Sequence, residues 1–334
     1  LITGTSGNLG TNIAKRLIKE VAPKTRLTII VTSRTLANAN SCIKDLEEYA
    51  HKEVQREGIV DFDYLLIDFT NMVSVLNSVY ELTKNHKMID YLFLNAAQGT
   101  YGGINWFGAI VECCTNPIKG VTYPTYKIQK VGIKSKDGLG LVFQVNVFAP
   151  YYFIQKLCED KILRKGSKVI WISSVMSKPE YLDMSDLQLI KSTESYEGSK
   201  RLVDLIHLET FKSMLEKYQV VQYLVQPGIF SSFSFFQYLN PITYYGMLFL
   251  FYIARFMGSP WHNIDGWKAA NSCVAVALDS QPGLNKADVK YGSATRWNGE
   301  EYIKISQVDK TDSKLVLEYF QKMKIDWDEK LKNQ

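Results

Sequence analysis

Cysteine and histidine are scarce in this chain, and neither is grouped. The five cysteines, Cys42, Cys113, Cys114, Cys158 and Cys273, form no CxxC pair, and the four histidines show no HxxxH spacing. Metal sites and disulfide frameworks need such groupings, so neither is expected, and free thiols suit a reducing, cytosol-facing setting. Charge of one sign is equally thin: 39 basic residues stand against 34 acidic ones, with no Arg-rich block. That leaves no electrostatic footprint for nucleic acid, which is not expected as a partner. No signal peptide, internal repeat or low-complexity tract is visible.

What is abundant is apolar. Hydrophobic residues make up 46% of the chain and charged ones 22%, a balance that gives a globular fold ample core. Strand-like runs at Leu27 to Ser33, Tyr64 to Asp68, Tyr91 to Asn95, Lys168 to Ser173 and Gln222 to Gln226 alternate with amphipathic stretches such as Asn8 to Lys19 and Leu141 to Leu157. This rhythm predicts a single α/β domain over residues 1–334: a Rossmann-type doubly wound parallel sheet, helices on both faces, and ligands at the carboxyl ends of its strands. Two stretches interrupt it. Residues 98–138, rich in Gly, Thr, Pro and Tyr, are too long for an ordinary connection and mark an inserted region. Residues 233–258, FSFFQYLNPITYYGMLFLFYIARFMG, hold ten aromatics, and Arg255 is the only charge among them.

The opening LITGTSGNLG reads as a strand end turning into a helix. Gly4 and Gly10 let backbone approach a pyrophosphate, and the helix N-terminus offers free N–H groups to the anion. About twenty residues on, where an NAD site places an acidic residue against the ribose, the strand ends in VTSRT, and no Asp or Glu occurs between Ile30 and Asn40. Arg34 and Ser33 suit a 2′-phosphate instead, so NADPH is the expected cofactor.

In SYEGSK, Tyr196 and Lys200 are four residues apart, on one face of a helix. Upstream, VIWISS sets Ser173 and Ser174 at the mouth of the sheet. Reducing a ketone requires an acid that protonates the developing alkoxide while hydride arrives. A phenol is a weak acid at neutral pH, and an adjacent ammonium, aided by the positive oxidised nicotinamide, is expected to draw its pKa down. Ser174 is placed to orient the substrate oxygen and Lys200 to hold the nicotinamide ribose.

Taken in order, TGTSGNLG, LNAA, VNVF, ISS, YEGSK and QPGIFSS resemble the signature of the short-chain dehydrogenase/reductase family. The resemblance implies Tyr196 as proton donor, Ser174 as carbonyl-orienting group, Lys200 as ribose clamp and Asn146 as holder of a relay water. It extends the cofactor set to Thr5, Asn8, Leu9, Asn95, Ala96, Pro227, Gly228, Ile229, the Asp68 of IDFT against the adenine, and Ser232 against the carboxamide. There are departures. Asn8 replaces the middle glycine, tolerable because Asn accepts left-handed angles, and Ala97 replaces the glycine of the second motif. The gap from Ser174 to Tyr196 is long, so KPEYLDMSDLQ is expected to form a lobe near the substrate mouth.

Within that family the whole chain, through VTSRT, DFTNMVSVLN, PTYKIQ, GSPWHNIDG and DWDEKL, looks like the fungal reductases of sterol 3-ketones. This implies NADPH-dependent reduction of an apolar sterol ketone to the 3β-alcohol during C4 demethylation in ergosterol biosynthesis. It also implies a place beside the C4-methyl oxidase and the C3 dehydrogenase/decarboxylase, on the endoplasmic reticulum or lipid droplets. A sterol needs an apolar pocket and a route from the bilayer. The apolar core of residues 233–258 is short of the roughly 20 residues needed to span. It is therefore expected to dip into the membrane surface; burial of the same stripe in the interface or core of a homo-oligomer would also satisfy it, and a spanning helix is the third reading. The catalytic residues equally suit a reductase of long-chain acyl ketones or retinoids, and the fold could serve as a scaffold of the biosynthetic complex. The tail DWDEKLKNQ reads as a solvated end.

Overall fold

The computed structural model describes residues 1–231 and 238–332. From the first glycine turn the chain runs through α1 (Asn8–Glu20), β1 (Leu27–Ser33), α2 (Leu36–Glu53), β2 (Val60–Leu66), α3 (Met72–Asn85) and β3 (Tyr91–Leu94). A lobe follows, made of β4 (Tyr101–Ile104), α4 (Trp106–Thr115), α5 (Pro117–Thr122) and β5 (Lys127–Gln129). The chain returns by α6 (Leu141–Phe143), a π-turn (Gln144–Phe148) and α7 (Ala149–Glu159), then β6 (Lys168–Ile172), α8 (Ser195–Tyr218) and β7 (Val221–Gln226). The remaining elements are β8 (Ile229–Phe230), α9 (Pro241–Phe256), β9 (His262–Ile264), α10 (Gly266–Ala269), α11 (Asn271–Leu278), β10 (Val289–Thr295), β11 (Glu301–Gln307) and α12 (Ser313–Leu331).

The central sheet has the order β2, β1, Ile2, β3, β6, β7, β10, β11, with only the last pair antiparallel. Ile2 closes it by bridging Val31 on one side and Phe93 on the other. The inner strands are buried on both faces, as a parallel sheet requires: 29–32, 169–172 and 222–226 are continuous buried runs. Leu9, Ile13 and Leu17 of α1 recur along one face and join Ile29, Ile170 and Val225 in the core on one side of the sheet. Val75, Phe153 and Leu205, from α3, α7 and α8, build the other. The order of strand addition reverses at Ile2, with β1 and β2 on one side and β3 onward on the other, so a crevice opens there at the carboxyl ends of the strands.

Several expectations shift. β2 starts at Val60 rather than Tyr64, because VDFDYLL is an edge strand whose polar alternation hides it. Residues 98–138 are a folded lobe, with β4 and β5 antiparallel. The insert before Tyr196 contributes no wall to the crevice. Its Leu182, Met184 and Leu187 pack on the core, and Gln188 donates to Tyr319 of α12 at 2.8 Å. The C-terminal end is also a core element: Phe320 is fully buried against Phe143 and Tyr151, Trp327 and Leu331 are buried, and Asp328 accepts from Tyr152 at 2.9 Å. Among the described residues no helix is long and apolar enough to cross a membrane.

Candidate active site

The crevice at the strand ends is a cleft of about 730 Å³. One end is the glycine turn. Gly4 takes φ +64°, open to glycine at little cost, and its N–H donates to Thr32 Oγ1 at 2.8 Å. At Gly10 a Cβ would lie 2.4 Å from the Gly4 carbonyl oxygen and 2.8 Å from Thr5 Cα, so only glycine lets α1 start this close beneath the loop. Asn95 donates to the carbonyls of Thr3 and Gly4 at 2.9 and 3.0 Å, and Thr3 Oγ1 accepts from the N–H groups of Asn95 and Ala96. Two loops from different strands are thus held together beneath an opening lined by Gly4, Ser6, Gly7, Asn8, Leu9, Asn95 and Ala96.

Two members of the expected cofactor set lie behind that opening. Thr5 is fully buried, its hydroxyl donating to Ile2 O and accepting from Thr32 N, so it braces the loop and does not face the cleft. Gly10 acts through the space it leaves. Asn8 needs no left-handed angle: it is the first residue of α1, and its side chain donates to Ser231 O at 2.7 Å, tying the glycine turn to the residue after β8. Ser232 falls outside the described residues.

Ser33, Arg34 and Asp68 line one rim, with Asn38, which sequence reasoning missed. Arg34 is exposed, and Thr35 caps α2 by accepting from Asn38 N. Asp68 accepts from both the N–H and the hydroxyl of Thr70 at 2.9 Å, fixing its carboxylate at the cleft edge. Across the cleft Pro227, Gly228 and Ile229 form the facing wall. Gly228 has φ +69°, and Asn263 donates to Pro227 O at 2.7 Å, a support invisible in the sequence because it lies 36 residues on.

Ser174, Tyr196 and Lys200 face the same space. Ser174 Oγ accepts from Met176 N at 3.1 Å, which leaves its proton for the cleft. Lys200 is buried, donates to Ile172 O at 2.8 Å and stands 5.6 Å from the centre of the Tyr196 ring. Gln129 of the lobe accepts from Tyr196 N at 3.0 Å and donates to the buried Glu197 at 2.6 Å, so β5 holds the start of α8. Asn146 is not on the cleft wall. In the π-turn its amide accepts from Gln98 N at 2.7 Å and donates to Gln98 O and Ser199 Oγ, both at 2.9 Å, so it joins the loop after β3 to α8. Such bulges concentrate at functional sites.

The electrostatics correct one expectation. Burial raises the Tyr196 phenol above its ordinary value, and the Glu197 carboxylate adds to the rise. Desolvation is the larger cause, and the same burial lowers Lys200 to about 8, with Asp204 raising it and Lys290 lowering it. The phenol therefore stays protonated at neutral pH, which suits a proton donor to a developing alkoxide.

The arrangement fits a dinucleotide. The glycine cradle has room only for backbone beneath it, the rim presents Arg34 at the end of β1, where no acidic residue follows the strand, and a buried lysine meets the cleft wall beside a serine and a tyrosine. The lobe and α9 add Tyr101, Val121, Pro124, Tyr126, Met247 and Phe251 to the lining, an apolar and aromatic group with Thr122 and Lys127 beside it.

Known proteins are similar to this chain. Residues 1–235 match the family described as short chain dehydrogenase. A 3-keto-steroid reductase of Kluyveromyces lactis is 56% identical over all of this chain and 96% of its own length. That of Saccharomyces cerevisiae is 55% identical with the same coverage, and that of Yarrowia lipolytica 43%. Among solved structures, L-sorbose reductase from Gluconobacter frateurii, complexed with NADPH and L-sorbose, has a TM-score of 0.54 at 14% identity, covering 82% of this chain and 87% of its own. A Pseudomonas aeruginosa RhlG/NADP complex has 0.54 at 18%, covering 83% and 88%, and both share its fold. From its glycine cradle to its serine, tyrosine and lysine, this chain belongs to the short-chain dehydrogenase family.

Proposed function

We propose that this chain is an NADPH-dependent reductase that converts the 3-ketone of a sterol to the 3β-alcohol. The observation that carries the proposal is one cleft lined together by the glycine cradle and Arg34, by Ser174, Tyr196 and Lys200, and by an apolar wall from α9 and the lobe. Full-length relatives that are 3-keto-steroid reductases support the substrate class.

When bound, the nicotinamide supplies the hydride. Gly4, Ser6, Gly7 and the N-terminus of α1 would hold its pyrophosphate, Arg34 and Ser33 its 2′-phosphate, Asp68 its adenine, and Lys200 its ribose. Ser174 donates a hydrogen bond to the ketone oxygen and orients it. Tyr196 hands its phenolic proton to that oxygen as negative charge develops there. Met247 and Phe251 exclude water from the apolar body of the substrate.

The proposal includes a membrane-surface location, on the endoplasmic reticulum or lipid droplets, beside the C4-methyl oxidase and the C3 dehydrogenase/decarboxylase of sterol C4 demethylation. Its support is the outer face of α9. Ile242 is 83% exposed and Phe256 74%, with Tyr245, Phe249 and Tyr252 between them, while Met247 and Phe251 on the other side line the cleft. Phe107 of α4 is 79% exposed, with Trp106 and Ile110 beside it. An apolar helix between lipid and cleft gives a sterol a path that avoids water.

Incubating the protein with NADPH and a panel of 3-keto sterols, long-chain acyl ketones and retinals tests the substrate. Cofactor oxidation is expected with the sterols, and oxidation only with the chain ketones or retinals contradicts it. Flotation with liposomes is expected for the native chain and reduced for Phe249→Glu with Phe256→Glu. Equal flotation of both proteins contradicts the surface assignment.

A further inference from the structure

Behind the cleft lies a buried ionic cluster that the reaction does not use directly. Asp204 stands one turn past Lys200 on α8 and is 1% exposed. Its Oδ1 accepts from Ser173 Oγ, and its Oδ2 accepts from Ser177 Oγ at 2.7 Å and from Lys290 Nζ. Lys290, on β10, also donates to Ser177 Oγ and reaches Ser174 O at 3.5 Å. Ser173 and Ser177 bracket the turn that carries Ser174, so one carboxylate grips that turn at both ends. The same carboxylate rides on the helix that carries Tyr196 and Lys200.

We propose that Asp204 and Lys290 are positioning residues of the reducing centre, setting the register between the Ser174 turn and the face of α8 that bears Tyr196 and Lys200. The proposal rests on the function argued above. Buried ion pairs give little net stability, and apolar replacements of similar volume often match or exceed them. This pair therefore needs a reason beyond folding. Its placement supplies one: without it the bond of Lys200 to Ile172 O still ties α8 to the strand end ahead of the turn, but the turn itself loses the carboxylate that holds both its ends, and hydrogen bonds between charged groups fix distance more sharply than packing does. Lys290 lies beyond residue 235, where the family match ends, so the turn carrying Ser174 is locked by a strand outside the matched portion. Asp204 raises the Lys200 ammonium and Lys290 lowers it, so Lys290 offsets the carboxylate that stands so near the cleft.

The test is Asp204→Leu with Lys290→Met, compared with each single change. The single variants are expected to melt lower, each leaving a buried charge unpaired, whereas the double variant regains wild-type Tm. Its kcat is nonetheless expected to fall by roughly tenfold or more while Kd for NADPH stays within about threefold, because misplacement near the reacting atoms acts on the chemical step. Amide exchange of residues 173–178 is expected to quicken. A folded double variant with wild-type kcat and wild-type exchange would overturn the proposal. If the double variant does not fold, Ser177→Ala decides: slower turnover and faster exchange support the bracket, and wild-type values reject it. Wild-type turnover is measured alongside. Its absence with every ketone overturns the function, whereas exchange of the turn still judges the positioning role.

Discussion

Replacing Gly10 by alanine should weaken NADPH binding while leaving the fold in place. The added Cβ would lie 2.4 Å from Gly4 O, 2.8 Å from Thr5 Cα and 2.9 Å from Asn95 Nδ2. None of these can yield by a side-chain swing: Gly4 is held by Thr32, Thr5 by Ile2 and Thr32, and Asn95 by Thr3 and Gly4. The open side is the cleft, so the turn must relax into the space where the pyrophosphate would lie. Overpacking of this kind costs about 1–3 kcal/mol. Binding has to restore the native turn, so most of that strain reappears in the affinity, and at about 1.4 kcal/mol per tenfold the dissociation constant should rise about 5- to 150-fold. Quenching of protein fluorescence on titration with NADPH measures it, with thermal denaturation as the check on folding. Gly7→Ala is the control for folding, since its Cβ would meet only Gly4 O, at 3.4 Å. An unchanged Kd in folded Gly10→Ala would refute the cradle.

Arg34→Glu should reduce the preference for NADPH over NADH by roughly 10- to 100-fold, the worth of a charge-assisted contact of about 1.5–3 kcal/mol, and a ratio of the two kcat/KM values that does not move refutes it. The affinity for NADPH should decline as pH rises past about 8, where the buried Lys200 loses its proton. The unfolded chain keeps that proton to a higher pH, so between the two values it binds more protons and this group's contribution to stability rises with pH. Lys200→Met should remove both dependences, and calorimetry across pH 7 to 10 checks them. Phe320→Ala should cost about 3–5 kcal/mol in chemical denaturation, since its ring is fully buried among Phe143, Phe148 and Tyr151. A loss below about 1 kcal/mol would mean that α12 is not part of the core.

The sequence is most legible where one physical signal dominates. β1 spans Leu27–Ser33 as expected because its apolar centre, Ile29, Ile30 and Val31, fits a strand buried on both faces. Gly4, Ser174, Tyr196 and Lys200 stand out because turn geometry and helical spacing are local, and all four line one cleft. Long-range partners are not legible. The bonds of Asp204 to Lys290 and of Asn263 to Pro227 span 86 and 36 residues, and only the fold brings them together. The tail misleads because its charges suggest a solvent-facing end along their whole length, while Trp327 and Leu331 turn inward between them. The phenol misleads for another reason: spacing reveals a neighbouring ammonium but not the depth of burial, and burial sets the direction of its pKa.

The central claim is that Tyr196 delivers the proton to a ketone oriented by Ser174. Its most direct measurement is single-turnover NADPH oxidation by Tyr196→Phe with a 3-keto sterol, paired with NADPH affinity in the same preparation. Loss of turnover by about a hundredfold or more, with Kd near the wild-type value, is the predicted result. Wild-type turnover in the phenylalanine variant would contradict it.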